Sequence, residues 1–234
     1  MIFEKKLIHG HLIKRYKRFL ADVELNDSRK VTAHCTNTGS MKTCLKEGAE
    51  VFLSPAADPN RKTKYTWEMI KINGDWVGIN TSVPNKLAFE ALTNNLIFGL
   101  RGYTKFNREV KFGNSRIDLF AENEQEKCFI EVKNVTMKVG KYARFPDAKT
   151  DRGRKHLNEL MQIRRQGMRA VMLYIIQRMD VGIFGPAWDI DPAYAETLLK
   201  AFQTGVEIIP VMANVSPEKI ELGRVLPFDL LRGQ

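Results

Sequence analysis

The sequence has few cysteines and histidines, which limits the metal sites and covalent frameworks it can build. Its 234 residues include three Cys and four His, and Cys35, Cys44 and Cys128 form no CxxC pair. Structural zinc sites and disulfide frameworks are usually marked by such pairs or by an even set of cysteines, so neither is expected here. We predict three free thiols buried in the core.

Long hydrophobic runs are also absent. The longest, AVMLYII at 170–176, is far shorter than the roughly 20 apolar residues that cross a bilayer. Charged residues interrupt the N-terminal segment MIFEKKLIHGHLIKRYKRF, so it lacks the apolar core of a signal peptide. With 44% hydrophobic residues the chain can still build a packed core. We therefore expect a cytoplasmic protein with no membrane partner.

The chain has no excess of acidic residues; its formal net charge is +10 and its pI is about 9.5. A basic balance favours a polyanionic partner such as nucleic acid. Ten Lys or Arg lie between residues 138 and 169, against three acidic residues, and such a segment would attract a phosphate backbone. The alternative, a solvated helix face, is equally favoured for Arg164 and Arg165. The candidate DNA contacts in this segment are Lys141, Arg144, Arg152 and Lys155.

Short β-like runs separated by Gly, Asn, Asp and Pro fill the first part of the chain. In MIKINGDWVGIN, an Asn-Gly-Asp turn between Ile72 and Trp76 predicts an antiparallel hairpin. The number and spacing of the runs predict a five-stranded OB-like barrel, which we expect over residues 1–82.

Two stretches of this barrel are candidates for nucleic-acid contacts. In RYKRFLADV, cations and aromatics alternate, as on surfaces that bind nucleic acid without sequence preference. The small polar residues of HCTNTGSM, 34–41, suit a loop that approaches a phosphate or packs against a neighbouring domain. Phe19 is expected in the barrel core, whereas the expected nucleic-acid contacts are Arg15, Tyr16, Lys17 and Arg18.

Two carboxylates and an ammonium occupy strand-like segments after residue 83. In SRIDLFAENEQEKCFIEVKNVT, the short ENEQEK turn predicts a hairpin that brings Asp118 close to Glu131. Side chains alternate along a strand, so Glu131 and Lys133 share one face. Paired carboxylates favour Mg²⁺ or Mn²⁺, and the lysine can orient the attacking water or stabilise the transition state. This is the chemistry of phosphodiester hydrolysis, although a D…ExK pattern also arises by chance in charged proteins.

The spacing of RID at 116–118 and IEVK at 130–133 resembles the PD-(D/E)xK nuclease signature, with Ile117 in place of the usual Pro. The sequence patterns predict a first helix over SVPNKLAFEALTNNL, three strands over YTKFNREVKF, SRIDLFAE and KCFIEVKNVTM, a second helix over DRGRKHLNELMQIRRQG, and a strand over RAVMLYIIQ. This order also resembles that fold. The resemblance implies a central mixed sheet flanked by helices over residues 83–234, hence an α/β (α+β) chain overall. It implies metal binding by Asp118 and Glu131, catalysis by Lys133, and a further acid, Glu90, from the first helix.

The second predicted helix, which begins near Asp151, would line the active site of such a nuclease. His156, Glu159 and Gln162 are spaced to share one face of it. His156 or Gln162 is therefore a candidate contact for water or phosphate, and a structural role for His156 is at least as well supported.

The motifs RYKRFLADV, HCTNTGSM, YTWE, SRIDLF, CFIEVKNVT, FPDAKTDRGRKHLNEL and GVEI, in this order, resemble the sugar fermentation stimulation protein family over essentially the whole chain. The resemblance implies binding to double- or single-stranded DNA and a role in transcription regulation of sugar (maltose) metabolism genes. Two functions stay open, a DNA nuclease dependent on Mg²⁺ or Mn²⁺ and a non-catalytic DNA-binding regulator. An RNA or nucleotide enzyme is a third alternative, and a homodimer is a candidate assembly.

A C-terminal helix-turn-helix, sometimes proposed for such chains, would fall near residues 198–218. PAYAETLLKAFQTG predicts a helix that ends at a turn at Gly205. The β-branched run GVEIIPVMANV with Pro210 predicts a strand after it and not a second helix, because Pro and β-branched residues disfavour a helix.

Overall fold

The structure is a computed structural model and describes residues 1–58, 60–97, 99–113 and 115–232. No helix among these residues is long and apolar enough to span a membrane. The N-terminal strands are β1 Ile8–Tyr16, β2 Leu20–Leu25, β3 Lys30–His34, β4 Glu50–Pro55, β5 Tyr65–Ile72 and β6 Asp75–Gly78.

Five of these strands close into a barrel. β1 pairs antiparallel with β2 and β4, β2 with β3, and β4 with β5, and a parallel pairing of β3 with β5 completes the circle. Asn73 and Gly74 link β5 to β6 with φ values of 53° and 93°, as a two-residue hairpin with both central residues at positive φ requires. The predicted OB-like barrel and hairpin are confirmed.

The prediction for Phe19 is wrong, because 46% of this residue is exposed. It follows Lys17 and Arg18, whose φ values of 48° and 64° form the tight turn between β1 and β2. The side chain therefore lies beyond the end of the barrel, whose core begins on β2 with Ala21 and Val23.

The rest of the chain builds a six-stranded mixed sheet. Its strands are β7 Lys105–Phe112, β8 Ser115–Glu122, β9 Lys127–Val135, β12 Arg169–Ile176, β14 Glu207–Val215 and β15 Ile220–Val225, in the order β15-β14-β12-β9-β8-β7. β9, β12 and β14 are parallel, and the other pairings are antiparallel. Sequence patterns predicted this sheet except for β15.

Helices cover both faces of the sheet. α1, Val83–Thr93, buries Leu87 and Leu92 against one face, and this core continues into the barrel through Met69. α2, Asp151–Arg165, and α3, Pro192–Gln203, pack on the other face. Because β14 follows α3, the predicted helix, turn and strand are confirmed in place of a helix-turn-helix.

A small sheet lies beside the C-terminal end of β9. Its strands are β10 Met137–Val139, β11 Tyr142–Phe145 and β13 Ile183–Pro186, in the order β10-β11-β13. The sequence did not predict it, because strands of three or four residues are too short for a clear hydrophobic period. The three cysteines are free and buried, as predicted.

Candidate active site

The antiparallel pair β8 and β9 brings Asp118 and Glu131 together. Leu119 pairs with Ile130 in the adjacent position, and Asp118 Oδ2 accepts a hydrogen bond of 2.9 Å from the Val132 backbone N–H. The turn between the strands is held by Asn123, whose side chain accepts from the backbone N–H groups of Gln125 and Glu126. A short turn with this capping fixes the register that the sequence predicted.

Glu131 is the most buried group of the cluster, with 1% of its side chain exposed. Its Oε1 accepts a hydrogen bond of 2.5 Å from Lys133 Nζ and also contacts His156 Nδ1. Its Oε2 is buried and has no hydrogen-bond partner within the described residues. A buried carboxylate oxygen without a partner is costly, so this atom is a strong candidate ligand for a cation.

The two carboxyls have opposite pKa shifts. Burial raises the pKa of Asp118, and the nearby charge of Glu131 raises it further, against the Val132 hydrogen bond, the charge of Lys133 and the Asn85 hydrogen bond. Burial also raises the pKa of Glu131, but the hydrogen bond to His156 and the charge of Lys133 outweigh it, so the net shift is downward. Glu131 therefore stays ionised, whereas Asp118 needs positive charge beyond that of Lys133 to be ionised at low cost.

α1 places Asn85, and not Glu90, against this cluster. Asn85 Nδ2 donates to Asp118 Oδ1 over 3.0 Å. The Glu90 carboxylate instead lies 3.2 Å from the N-terminal ammonium of Met1. The structure therefore does not bring Glu90 to Asp118 and Glu131, because Asn85 occupies the end of the helix nearest the site. The sequence carried no signal for Asn85, since an amide does not match an expected acid.

α2 brings His156 to the cluster but not Gln162. Thr150 caps this helix by accepting from the Gly153 N–H, and Asp191 in turn accepts from the Thr150 N–H. Besides its contact with Glu131, His156 Nδ1 lies 3.4 Å from Lys133 Nζ. Gln162 is exposed two turns later and shares a separate depression with Glu159.

An open groove of about 470 Å³ lies between the barrel and the C-terminal end of β9, and Lys133 is the member of the cluster among its described lining residues. Its lining includes residues from both parts of the chain, among them Arg18, Thr36, Thr38, Lys133, Asn134 and Arg152. Lys133 thus links the carboxylate cluster to the groove. Asn134, which follows it directly, was not predicted as a site residue.

The predicted DNA contacts of the barrel have structural partners. Arg15 donates to the backbone carbonyls of Arg18, Asn37 and Gly39, and Arg18 donates to the carbonyl of Thr38. These contacts hold the 34–41 loop in place. The Tyr16 hydroxyl donates to Asp22, while Lys17 is exposed in the turn between β1 and β2.

The predicted contacts of the basic segment divide between two surfaces. Arg144 and Arg152 line the groove; Arg144 stacks on Tyr142 and donates to the Pro186 carbonyl. Lys155 borders the separate depression on α2, and Lys141 is exposed at the end of the small sheet.

The 34–41 loop packs directly against the sheet domain. The Met41 N–H donates to Asp147 Oδ2 over 3.2 Å, and a Cβ at Gly39 would overlap the same carboxylate. Of the two roles proposed for this loop from its sequence, close packing against the neighbouring domain is the one observed.

The donor set fits a hard divalent cation that keeps most of its water. Within the described ranges, no group of three or more His, Cys, Asp or Glu side chains surrounds a common point. Mg²⁺ and Mn²⁺ need no such cage, because Mg²⁺ is commonly held by one or two carboxylates together with water and phosphate oxygens. Asp118 and the Oε2 of Glu131, which has no partner among the described residues, are the two carboxylates that could hold such a cation.

Comparisons with known proteins agree over nearly the whole chain. A family model described as the SfsA N-terminal OB domain matches residues 13–79, and one described as the sugar fermentation stimulation protein RE domain matches residues 82–219. Sugar fermentation stimulation protein homologs from Geotalea uraniireducens and Paramagnetospirillum magneticum are 51% and 50% identical. These alignments cover 92% and 98% of this chain, and 94% and 98% of the relatives.

A solved structure extends the agreement to three dimensions. SfsA from Pyrococcus furiosus, in complex with Ca²⁺, superposes with a TM-score of 0.89 at 29% identity and covers 98% of both chains. The chain belongs to the sugar fermentation stimulation protein family.

Proposed function

We propose that this protein binds DNA in the groove and hydrolyses a phosphodiester bond at Asp118, Glu131 and Lys133 with the help of Mg²⁺ or Mn²⁺. The observation that carries the proposal is the buried Oε2 of Glu131, which has no hydrogen-bond partner in the described part of the chain and belongs to the carboxylate cluster beside Asp118. A cation between the two carboxylates would give Oε2 a partner and would offset the electrostatic repulsion between the two groups.

Each side chain has a distinct task in this proposal. Asp118 and Glu131 would hold the metal, which when bound would lower the pKa of a water molecule and offset negative charge on the phosphate. Lys133, held by Glu131 at the groove, orients the water or stabilises the negative charge of the transition state. His156 contacts the Glu131 oxygen that Lys133 also binds, and so fixes the rotamer that leaves Oε2 available.

The relative from Pyrococcus furiosus supports a divalent cation in this fold, because its structure is a complex with Ca²⁺. Ca²⁺ and Mg²⁺ both prefer oxygen ligands, and the smaller Mg²⁺ suits a site with two carboxylates. The cationic side chains of the groove, Arg18, Arg144 and Arg152, support a phosphate backbone as the ligand next to the metal.

Cleavage of DNA by the purified protein tests the proposal. Supercoiled plasmid, linear duplex and single-stranded DNA, with RNA as a comparison, are incubated with Mg²⁺ or Mn²⁺ and with EDTA. We expect cleavage of DNA that requires metal and is abolished by Asp118→Ala, while salt-dependent DNA binding persists. Intact DNA under every condition would refute hydrolysis, and a preference for RNA would replace the substrate class.

A second candidate function is a DNA-binding regulator of sugar metabolism genes without turnover. One observation favours it: the charge of Glu131 already has two partners, Lys133 and His156, so the cluster is partly neutralised without metal. DNA binding that persists with no cleavage in the same assay would support this candidate.

We also propose a cytoplasmic location, which the three buried free thiols support, because reducing compartments preserve free cysteines. A homodimer remains a proposal that sedimentation analysis of the purified protein tests. A single species at 26.8 kDa would refute it.

A further inference from the structure

Asn134 occupies a distinctive position at the end of β9. It directly follows Lys133, and side-chain alternation turns it to the face opposite Lys133, toward the barrel. The residue is half-buried and lines the groove together with Thr36 and Thr81 of the barrel side. Lys133 and Asn134 therefore both border the groove, from opposite faces of β9.

Gln177 determines which way the Asn134 amide points. Gln177 is fully buried, its backbone N–H donates to Val135, and its backbone carbonyl accepts from Gly78 of the barrel. Its Nε2 donates to the Asn80 carbonyl over 3.2 Å and to Asn134 Oδ1 over 2.8 Å. A backbone carbonyl can only accept, so the contact with Asn80 fixes the Gln177 amide orientation and makes the Asn134 atom that it meets an oxygen.

The NH₂ group of Asn134 is consequently turned away from Gln177. It has no hydrogen-bond partner in the protein within the described residues, although the carbonyl side of the same amide is held tightly. Gly78 allows this arrangement, because a Cβ there would overlap the Gln177 amide. An oriented donor that has no partner among the described residues, and that lies near Lys133 and the cationic groups of the groove, suits an acceptor on an anionic ligand.

We propose that Asn134 Nδ2 donates a hydrogen bond to a phosphate oxygen of the bound strand, at a phosphodiester adjacent to the one beside Lys133, and that Gln177 is the positioning residue that orients it. The inference rests on the proposed function, specifically on nucleic-acid binding in the groove. Phosphate contacts of this kind fix the register of the strand and carry no sequence preference.

The test measures the Kd for a fluorescent single-stranded and a duplex DNA by anisotropy in EDTA, so that no turnover is needed. Asn134→Asp keeps the oxygen that Gln177 binds and replaces the donor by a second oxygen. We expect its affinity to fall about tenfold or more, and that of Asn134→Ala about threefold to tenfold. Asn107→Asp, an equal charge change at an exposed position of β7, should change affinity less than about twofold.

Gln177→Met tests whether Gln177 acts by orienting the Asn134 amide. We expect it to weaken DNA binding about threefold, and to cause no further loss when combined with Asn134→Ala, because both changes remove one oriented donor. Additive losses would overturn the role of Gln177, and unchanged affinity of Asn134→Asp would overturn the phosphate contact. If the wild-type protein bound no DNA in EDTA and cleaved none with Mg²⁺ or Mn²⁺, the proposed function itself would fail. DNA bound equally by wild type and Asn134→Asp would remove only this inference.

Discussion

Asp118→Asn should weaken metal binding without lowering the stability of the metal-free protein. The substitution retains an oxygen that can accept from Val132, and it removes a carboxylate whose pKa is raised by burial and by Glu131. A raised carboxyl pKa means that the folded state loses stability as pH rises through it, so the asparagine variant should be at least as stable as wild type at neutral pH without metal.

The expected rise in Tm can be calculated from the stabilisation that a bound metal provides. A cation at 100 times its Kd stabilises the folded state by about 2.7 kcal/mol. For a chain of 234 residues this corresponds to a rise in Tm of about 5 to 11 °C. We expect this rise in the wild-type protein, and less than about 1 °C in Asp118→Asn, which has lost one of the two proposed ligands.

The assay is thermal unfolding followed by circular dichroism, with Mg²⁺ or Mn²⁺ titrated against EDTA. Asp27→Asn is the matched control, because it removes a carboxylate from an exposed ion pair with Arg29, away from the groove. It should keep the full response to metal. The same metal-dependent rise in Asp118→Asn and wild type would refute Asp118 as a ligand.

Lys133→Met should lower the cleavage rate in single-turnover assays by about 100-fold to 1,000-fold, because it removes the positive charge proposed to stabilise the reacting phosphate. An equal loss in DNA affinity would show that Lys133 acts in binding alone. Mg²⁺ affinity, measured by calorimetry, should fall as pH falls through the raised pKa of Asp118, because protons and metal compete for that carboxyl. Glu131 stays ionised over this range because its pKa is lowered. An affinity that does not change with pH would contradict this prediction. Gly39→Ala should lower the free energy of unfolding, measured in urea, by about 1 to 3 kcal/mol, because its methyl group would overlap the Asp147 carboxylate. The loss should be much smaller when Asp147 is also replaced by Ala. Equal losses in both backgrounds would exclude this contact as the cause.

The sequence predicted most of the regular structure because the relevant signals are local. The Asn73-Gly74 turn and the alternating strands of the barrel depend on neighbouring residues, and so does the hairpin that brings Asp118 to Glu131. Phe19 was assigned wrongly because its alternation continues that of β2, whereas the tight turn before it places the side chain outside the core.

The parts of the site that sequence did not predict depend on contacts between distant segments. Asn85 reaches Asp118 across 33 residues, and Gln177 reaches Asn134 across 43. Neither amide has a pattern that distinguishes it from a surface residue. Arg15 and Arg18 are a similar case, because they hold the 34–41 loop through its backbone carbonyls. The sequence alone does not distinguish such a role from that of an exposed basic cluster.

The most direct test of the central claim is a crystal structure of the protein soaked in Mn²⁺, with data collected for anomalous scattering. We predict one anomalous peak within about 2.0 to 2.6 Å of oxygens from both Asp118 and Glu131, with Glu131 contributing Oε2. An empty cluster at a Mn²⁺ concentration that supports cleavage, or a peak bound elsewhere, would contradict the account.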